Sequence, residues 1–415
     1  MRNSFSWQDG LRYGLLGLPL AFVALPLYVI LPNYYAREFG VPLAALGSLL
    51  LGARLFDAFI DPWLGRVSDR LFSRSSVLLV RASSAAALFL ALGFAALFFP
   101  PVRGDVLLAW ALAALLVTYV AYSFVSVAHQ SWGARLGGDE LVRSQVVSWR
   151  EGLGLVGVLL ASVLPVVAGL GVTTAVLCLG LVAGMWAWSR GPRPAVQSAA
   201  HQAVSMWLPF SRPGFRALLA VFMVNGIASA IPATLVLFFI QDKLQAPKAM
   251  EAAFLGAYFL TAALSMPVWL RLVARFGLWR VWLAGMLLAV AVFVFAATLG
   301  AGDVVGFMVV CALSGIALGA DLAAPSALLA GLIAKSGDQG ANEGAYFGWW
   351  NFATKLNLAL AAGLSLPFLG LFGYSPGARS AEALQALVLA YCVLPCALKL
   401  IAACALFISA RGQKL

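Results

Sequence analysis

Two carboxylates, Asp57 and Asp61, stand inside an apolar run, within Arg54-Leu-Phe-Asp57-Ala-Phe-Ile-Asp61-Pro62-Trp-Leu-Gly65-Arg66-Val-Ser-Asp69-Arg70. On a helix their spacing puts both carboxyl groups on one face, with Arg54 one turn earlier. A carboxylate at membrane depth persists when it is paired, protonated or cation-bound, and such groups mark ion or proton paths. The pair therefore reads as a site for one coupling cation, Na+ or H+. The competing reading is structural, with Arg54 neutralising Asp57 near the helix end. The segment is expected to begin as an apolar helix and to end in a polar loop.

Other polar groups fall in apolar runs and need partners. Lys355 lies too deep in its run to snorkel, so it needs a carboxylate, and Asp57 or Asp61 is the natural one. Lys399 needs one too, and Asp321 is the candidate. Arg150 has two readings: it clamps an anionic or hydroxylated solute, or it pairs with a loop carboxylate such as Asp139 or Glu140. Tyr28, Tyr122, Ser126, Trp349 and Asn351 complete the candidate solute contacts. The hydroxyls of Tyr122 and Ser126 share a helix face, which either lines a cavity or bonds across helices. Tyr34 and Tyr35 read as an interfacial aromatic belt, and His129 as a satisfied or solvated histidine.

This chemistry is not catalytic. Paired catalytic aspartates face each other across a cleft from separate helices, whereas Asp57 and Asp61 sit one turn apart on one. Neither a nucleophile–base pair nor a metal-ligand set stands out, so the chain reads as no enzyme. It calls for no cofactor and no metal beyond a possible Na+ at Asp57 and Asp61. The five cysteines lie in apolar runs, with neither a disulfide framework nor zinc spacing.

The elements that must position these groups are membrane spans. Of 415 residues 63% are hydrophobic and 10% charged, and the mean hydropathy is +0.95. That composition excludes a soluble domain and predicts an all-α polytopic membrane protein. Twelve spans are expected, near 11–35, 42–65, 77–99, 106–130, 145–169, 172–189, 215–241, 251–270, 280–300, 304–334, 345–372 and 384–410. The net charge of +11 follows the spans rather than a nucleic-acid patch. With both termini cytoplasmic, most of the basic residues fall on the inner side. The expected home is a bacterial inner membrane, and the expected partners are the lipid bilayer and a small-molecule substrate, bound by a monomer, with no nucleic acid.

The longest polar connection, Ser189 to Arg216, splits the chain into pseudo-symmetric six-helix bundles: 1–189, a cytoplasmic loop 190–214, and 215–415. Two such halves are the expected sign of a transporter with an internal repeat. An echo supports the repeat: Asp61-Pro62-Trp63-Leu64 after the second span and Pro267-Val268-Trp269-Leu270 after the eighth. The second copy lacks the carboxylates. In the first span, Pro19, Pro26 and Pro32 each forfeit a helical hydrogen bond and invite a kink.

The motif Arg54-x-x-Asp57-x-x-x-Asp61-Pro62-x-x-Gly65-x-x-Ser68-Asp69-Arg70 resembles the second-helix signature of the glycoside–pentoside–hexuronide:cation symporters, the melibiose-carrier branch of the major facilitator superfamily. The likeness continues in Gly319-Ala320-Asp321-Leu-Ala-Ala-Pro325 and in Glu343-Gly344-Ala-Tyr346-Phe347-Gly348-Trp349-Trp350-Asn351-Phe-Ala-Thr-Lys355. The resemblance implies the major facilitator fold and cation-coupled symport of a sugar or sugar acid by alternating access. It implies cation binding at Asp57 and Asp61, a neighbouring lysine at Lys355, and an arginine for sugar at Arg150. This chain departs from the family where sugar-gripping aspartates belong on helices one and four. Those stretches read Gly17-Leu18-Pro19-Leu20-Ala21 and Tyr122-Ser123-Phe124-Val125-Ser126. An amphiphile such as a lysolipid is the alternative cargo.

Overall fold

A computed structural model describes residues 5–104, 106–194, 205–247, 249–371, 374, 377 and 379–412. The middle of the expected central loop and the extreme termini lie outside the described residues. Helices account for nearly all of the described chain, and no strand occurs in it. Among the described residues, ten helical segments are long and apolar enough to cross a membrane. Two further helices of membrane length, with 32 and 29 residues, carry the charged motifs.

The chain divides into two compact units, Met1–Pro209 with Ile333–Phe352, and Phe210–Leu332 with Ala353–Leu415. In the first unit α1 (Trp7–Gly14), α2 (Gly17–Leu25) and α3 (Leu31–Glu38) form the expected first span. A capping box between Ser6 and Asp9 starts α1. The prolines divide the span as expected: α1 and α2 part ahead of Pro19, and a π-helical turn, Pro26–Ile30, joins α2 to α3. Then follow α4 (Leu43–Arg74), α5 (Ser76–Phe98), α6 (Val106–Arg135), α7 (Glu140–Val167) and α8 (Gly169–Ser189). The short α9 (Leu208–Ser211) ends the connection between halves.

The helix α4 corrects one expectation. It does not end in a polar loop after Pro62 but runs through Asp69 and Arg70 to Arg74. The polar stretch stays helical because Ser68, Asp69 and Phe72 are buried against protein rather than released to solvent. Ser75 ends it, its hydroxyl accepting from Val77 N–H to cap α5.

The second unit holds α10 (Pro213–Phe238), α11 (Ala249–Phe276), α12 (Leu278–Phe293), α13 (Val304–Ala323), α14 (Pro325–Lys335) as far as Leu332, α16 (Ala381–Val388) and α17 (Leu394–Arg411). The expected span 304–334 is broken, because α13 ends at Ala323 and Pro325 opens α14. The helix α15 (Glu343–Leu371) is shared: its start belongs to the first unit, and from Ala353 it belongs to the second.

Each unit repeats the same pairings. In the first, α4 packs on α6, α5 on α6 and α5 on α8; in the second, α11 packs on α13, α12 on α13 and α12 on α17. Small residues bring the α11–α13 pair close. A Cβ at Gly315 would stand 2.1 Å from Tyr258 O, and one at Gly319 would stand 2.3 Å from Ser265 Oγ. Thr261 Oγ1 donates to Ala312 O at 2.7 Å, and Trp269 Nε1 to Ile316 O at 2.7 Å.

Candidate functional site

Both carboxylates of α4 are buried, Asp57 at 1% exposure and Asp61 at 0%. Packing of α4 on α6 brings Ser123 to them, and its hydroxyl donates to Asp57 Oδ1 at 2.7 Å. Arg54, on the same face, reaches the first span: its guanidinium lies 4.6 Å from the Tyr28 ring centre and donates to Tyr28 O at 3.4 Å. The structure thus joins Arg54, Tyr28, Asp57 and Ser123 into one polar lining, with Asp61 a turn further along α4. Ser123 is absent from the sequence-derived site set. The signal for it was there, since it belongs to the hydroxyl-rich end of α6 that includes Tyr122 and Ser126.

Tyr122 is half-buried and Ser126 is buried on the same helix. Arg150 pairs with Glu151, its sequence neighbour, through Nη1 and Oε1. Asp139 caps α7, accepting from Val142 N–H at 2.9 Å. No described acceptor reaches the buried Arg150 Nε, so that donor faces the interior. His129 is a fully buried core residue. Its Nε2 meets Tyr13 O at 2.9 Å, its backbone carbonyl accepts from Tyr13 Oη at 2.9 Å, and the two rings stack at 4.2 Å.

On α15 the indole of Trp349 donates to Met206 O at 2.9 Å and packs on Trp207 with ring centres 4.8 Å apart. That spends its donor on the connection between halves. Asn351 is half-buried one turn before Lys355, which lies in the second unit. Earlier on α15, a Cβ at Gly348 would stand 2.7 Å from Asp61 O, so the backbone carrying Asp61 packs directly on α15.

A second charged cluster, missed from the sequence, ties the end of α4 to the start of α15. Arg135, at the end of α6, donates through Nη2 to Asp69 Oδ1 at 2.5 Å and through Nε to Glu343 Oε2 at 3.0 Å. Asp69 also accepts from Gly344 N–H at 2.7 Å and from Ala345 N–H at 2.9 Å, which caps α15. Arg66 Nη1 lies 3.6 Å from Asp69 Oδ2, so two cations balance two carboxylates. A Cβ at Gly65 would meet Gly344 O at 2.0 Å, so only glycines allow this approach. The cluster joins residues 208 positions apart, which no local pattern reveals.

In the second unit Lys399 Nζ meets Asp321 Oδ2 at 2.8 Å, the partner its position suggested, and donates to Ser229 Oγ at 3.0 Å. Asp321 Oδ1 also accepts from Trp282 Nε1 at 2.8 Å and Asn225 Nδ2 at 3.2 Å. The repeat motif is used differently in the two halves. Trp63 is 63% exposed, whereas its counterpart Trp269 is buried and hydrogen-bonded.

Membrane-length helices in two units of like packing, with buried ion pairs inside the helices, define an integral membrane transporter. The MFS/sugar transport protein family model matches residues 12–409, and the chain belongs to that family. It is accordingly a transporter and not an enzyme. No curated protein matches it. Among solved structures it is similar to a bacterial homologue of the iron transporter ferroportin in an outward-facing state, at 17% identity and TM-score 0.72, with 97% of this chain and 98% of that one covered. It is also similar to the major facilitator superfamily transporter FucP in the outward conformation, at 15% identity and TM-score 0.66, with 96% and 99% covered. At these identities the likeness shows the fold, that of the major facilitator superfamily.

Proposed function

We propose that this transporter is a secondary active symporter, coupling one cation, Na+ or H+, to a small organic solute of the sugar or sugar-acid class by alternating access. The observation that carries the reading is the buried Asp57–Asp61 pair on one face of α4, with the Ser123 hydroxyl on Asp57. Two carboxylates in an apolar helix require compensation, and a bound cation supplies it in one transport state. Lys355 supplies it in the other, a role supported by the likeness of the Glu343–Lys355 motif to that of the symporter family that α4 resembles. Cation and solute then bind cooperatively, because each favours the same state. The family description, and the likeness of the α4 motif to that of the glycoside–pentoside–hexuronide:cation symporters, support a sugar-class solute.

In this reading the Asp69–Arg135–Glu343 cluster is a latch at the cytoplasmic ends of α4, α6 and α15. With Arg66 included it is charge-balanced, so it can close without leaving a buried net charge, and its bonds break as the carrier opens inward. Both termini are cytoplasmic and the membrane is a bacterial inner membrane, as the distribution of basic residues suggests. The test is solute accumulation in proteoliposomes under an imposed Na+ or H+ gradient, with Asp57→Asn and Asp61→Asn alongside. Both variants insert and fold but fail to concentrate solute. Wild-type accumulation by either one removes that carboxylate from the coupling role.

A further inference from the structure

A recess of about 370 Å³ opens on the surface of the first unit, among α4, α5 and α6. Leu64 comes from α4, Ala86 and Phe89 from α5, and Val117, Val120 and Phe124 from α6, so the lining is apolar. It faces outward, since Phe89 is 55% exposed and Val117 45%. Helix packing sets its course. α5 presses on α6 at Gly93, where a Cβ would stand 2.3 Å from Thr118 Oγ1. Ala86 and Phe89 lie between that contact and the start of α5, so the recess runs toward the turn that joins α4 to α5.

That turn is basic. A single residue, Ser75, separates the two helices, and Arg70, Arg74 and Arg81 stand around it, all exposed. On α4 the exposed residues Trp63, Val67, Arg70 and Arg74 recur at helical spacing, one stripe that changes from apolar to cationic along the helix. On α5 the exposed Arg81, Ala85, Leu88 and Leu92 repeat the pattern in the opposite direction. Helix rise sets Arg70 about 9 Å past Leu64, and Arg81 about 7.5 Å past Ala86, so the cations stand just beyond the end of the recess. The carboxylate nearest in sequence does not balance them: Asp69 is 3% exposed and is spent on Arg135 and Arg66. Among the described residues no ion pair engages Arg70, Arg74 or Arg81.

An apolar recess on a membrane-spanning surface takes hydrocarbon, and guanidinium groups at its end take an anion, bonding phosphate through a bidentate fork. A glycerophospholipid of net negative charge meets both demands at the lipid–water boundary. A zwitterionic lipid carries its own cation against the arginines and gains less. A second copy of this chain, docked through the same face, would set arginine against arginine. We propose that the recess among α4, α5 and α6, with Arg70, Arg74 and Arg81, binds one anionic glycerophospholipid. An acyl chain fills the recess and the headgroup phosphate rests on the arginines. The lipid is a resident ligand of the outer surface rather than cargo, so the site is independent of which solute is carried.

Purified, delipidated full-length protein in detergent is titrated with dioleoylphosphatidylglycerol, dioleoylphosphatidylcholine or glycerol phosphate, and bound lipid is counted by native mass spectrometry. One equivalent of phosphatidylglycerol is expected to bind saturably, at least tenfold tighter than phosphatidylcholine, while glycerol phosphate, which lacks the chains, does not bind. Arg70→Gln, Arg74→Gln and Arg81→Gln each weaken that equivalent by roughly fivefold, and the triple variant by about a hundredfold. Val117→Trp fills the recess and leaves every charge in place, so its loss of the tight equivalent separates a site from general attraction to a basic surface. Where Val117→Trp fails to fold, Phe89→Ser makes the exposed wall of the recess polar and is expected to weaken binding as well. The proposal is overturned if phosphatidylcholine binds as tightly as phosphatidylglycerol, if binding never saturates, or if glycerol phosphate binds as well as the lipid. It is equally overturned if the folded recess variants or the arginine triple keep wild-type affinity, or if the protein is a dimer that takes up no lipid.

Discussion

The Ser123 hydroxyl donates to Asp57 Oδ1 at 2.7 Å, linking α6 to the carboxylate helix α4 across 66 residues of sequence. A hydrogen bond to an ionised group contributes roughly 1.5–3 kcal/mol, enough to tune cation affinity without carrying the fold. Ser123→Ala is expected to insert and fold normally and to raise the half-saturating cation concentration for flux by roughly tenfold. Flux measured against Na+ and H+ concentration reads this directly. An unchanged cation dependence would show that the hydroxyl does not serve the site.

Lys355 supplies the second prediction. If it compensates the carboxylates of α4 in one transport state, Lys355→Ala leaves a buried negative charge and lowers stability by roughly 3–5 kcal/mol. Adding Asp57→Asn or Asp61→Asn should return part of that loss. The melting temperatures of the single and double variants form the cycle, and strict additivity would mean that the groups do not interact.

Arg135 is the hub of the latch, with a side chain 1% exposed between Asp69 and Glu343. Its Nη2 and Nε serve different carboxylates, so a planar fork is required and a lysine cannot replace it. Arg135→Ala and Arg135→Lys should both destabilise the protein, the alanine by about 3–5 kcal/mol. Both should make the start of α15 more accessible, read by labelling a cysteine placed at Ala345. Wild-type labelling in Arg135→Ala would rule out the latch.

The two tryptophans of the repeat motif should separate sharply. Trp269 is buried and donates to Ile316 O at 2.7 Å, so Trp269→Phe loses packing volume and that hydrogen bond, leaving Ser265 Oγ at 3.3 Å as the remaining side-chain donor to the carbonyl. A loss of roughly 1–3 kcal/mol is expected. Trp63 is 63% exposed, and Trp63→Phe should melt within error of wild type. Equal effects at the two positions would contradict the different burial of the two halves.

The sequence by itself determined the class of protein and set Asp57 and Asp61 on one helix face, whereas its expected division at 190–214 did not anticipate that residues 333–352 group with the first unit. The class and the shared face rest on local signals: long apolar runs and a four-residue spacing that defines one helix face. It also named Asp321 for Lys399, because a buried lysine needs a carboxylate and few were available. The tertiary structure alone decided the cross-helix partners. Ser123 looked like one of several hydroxyls on α6 until packing against α4 set it on Asp57. Arg135 carried no sequence signal and Glu343 entered only as part of a family-like motif, because the cluster that unites them with Asp69 forms between helix ends distant in the chain. The same packing keeps α4 helical to Arg74, where polarity alone predicts a loop, since buried ion pairs replace the water those residues would otherwise need. Helix periodicity is written along one segment, whereas a hydrogen bond between helices depends on how two segments meet.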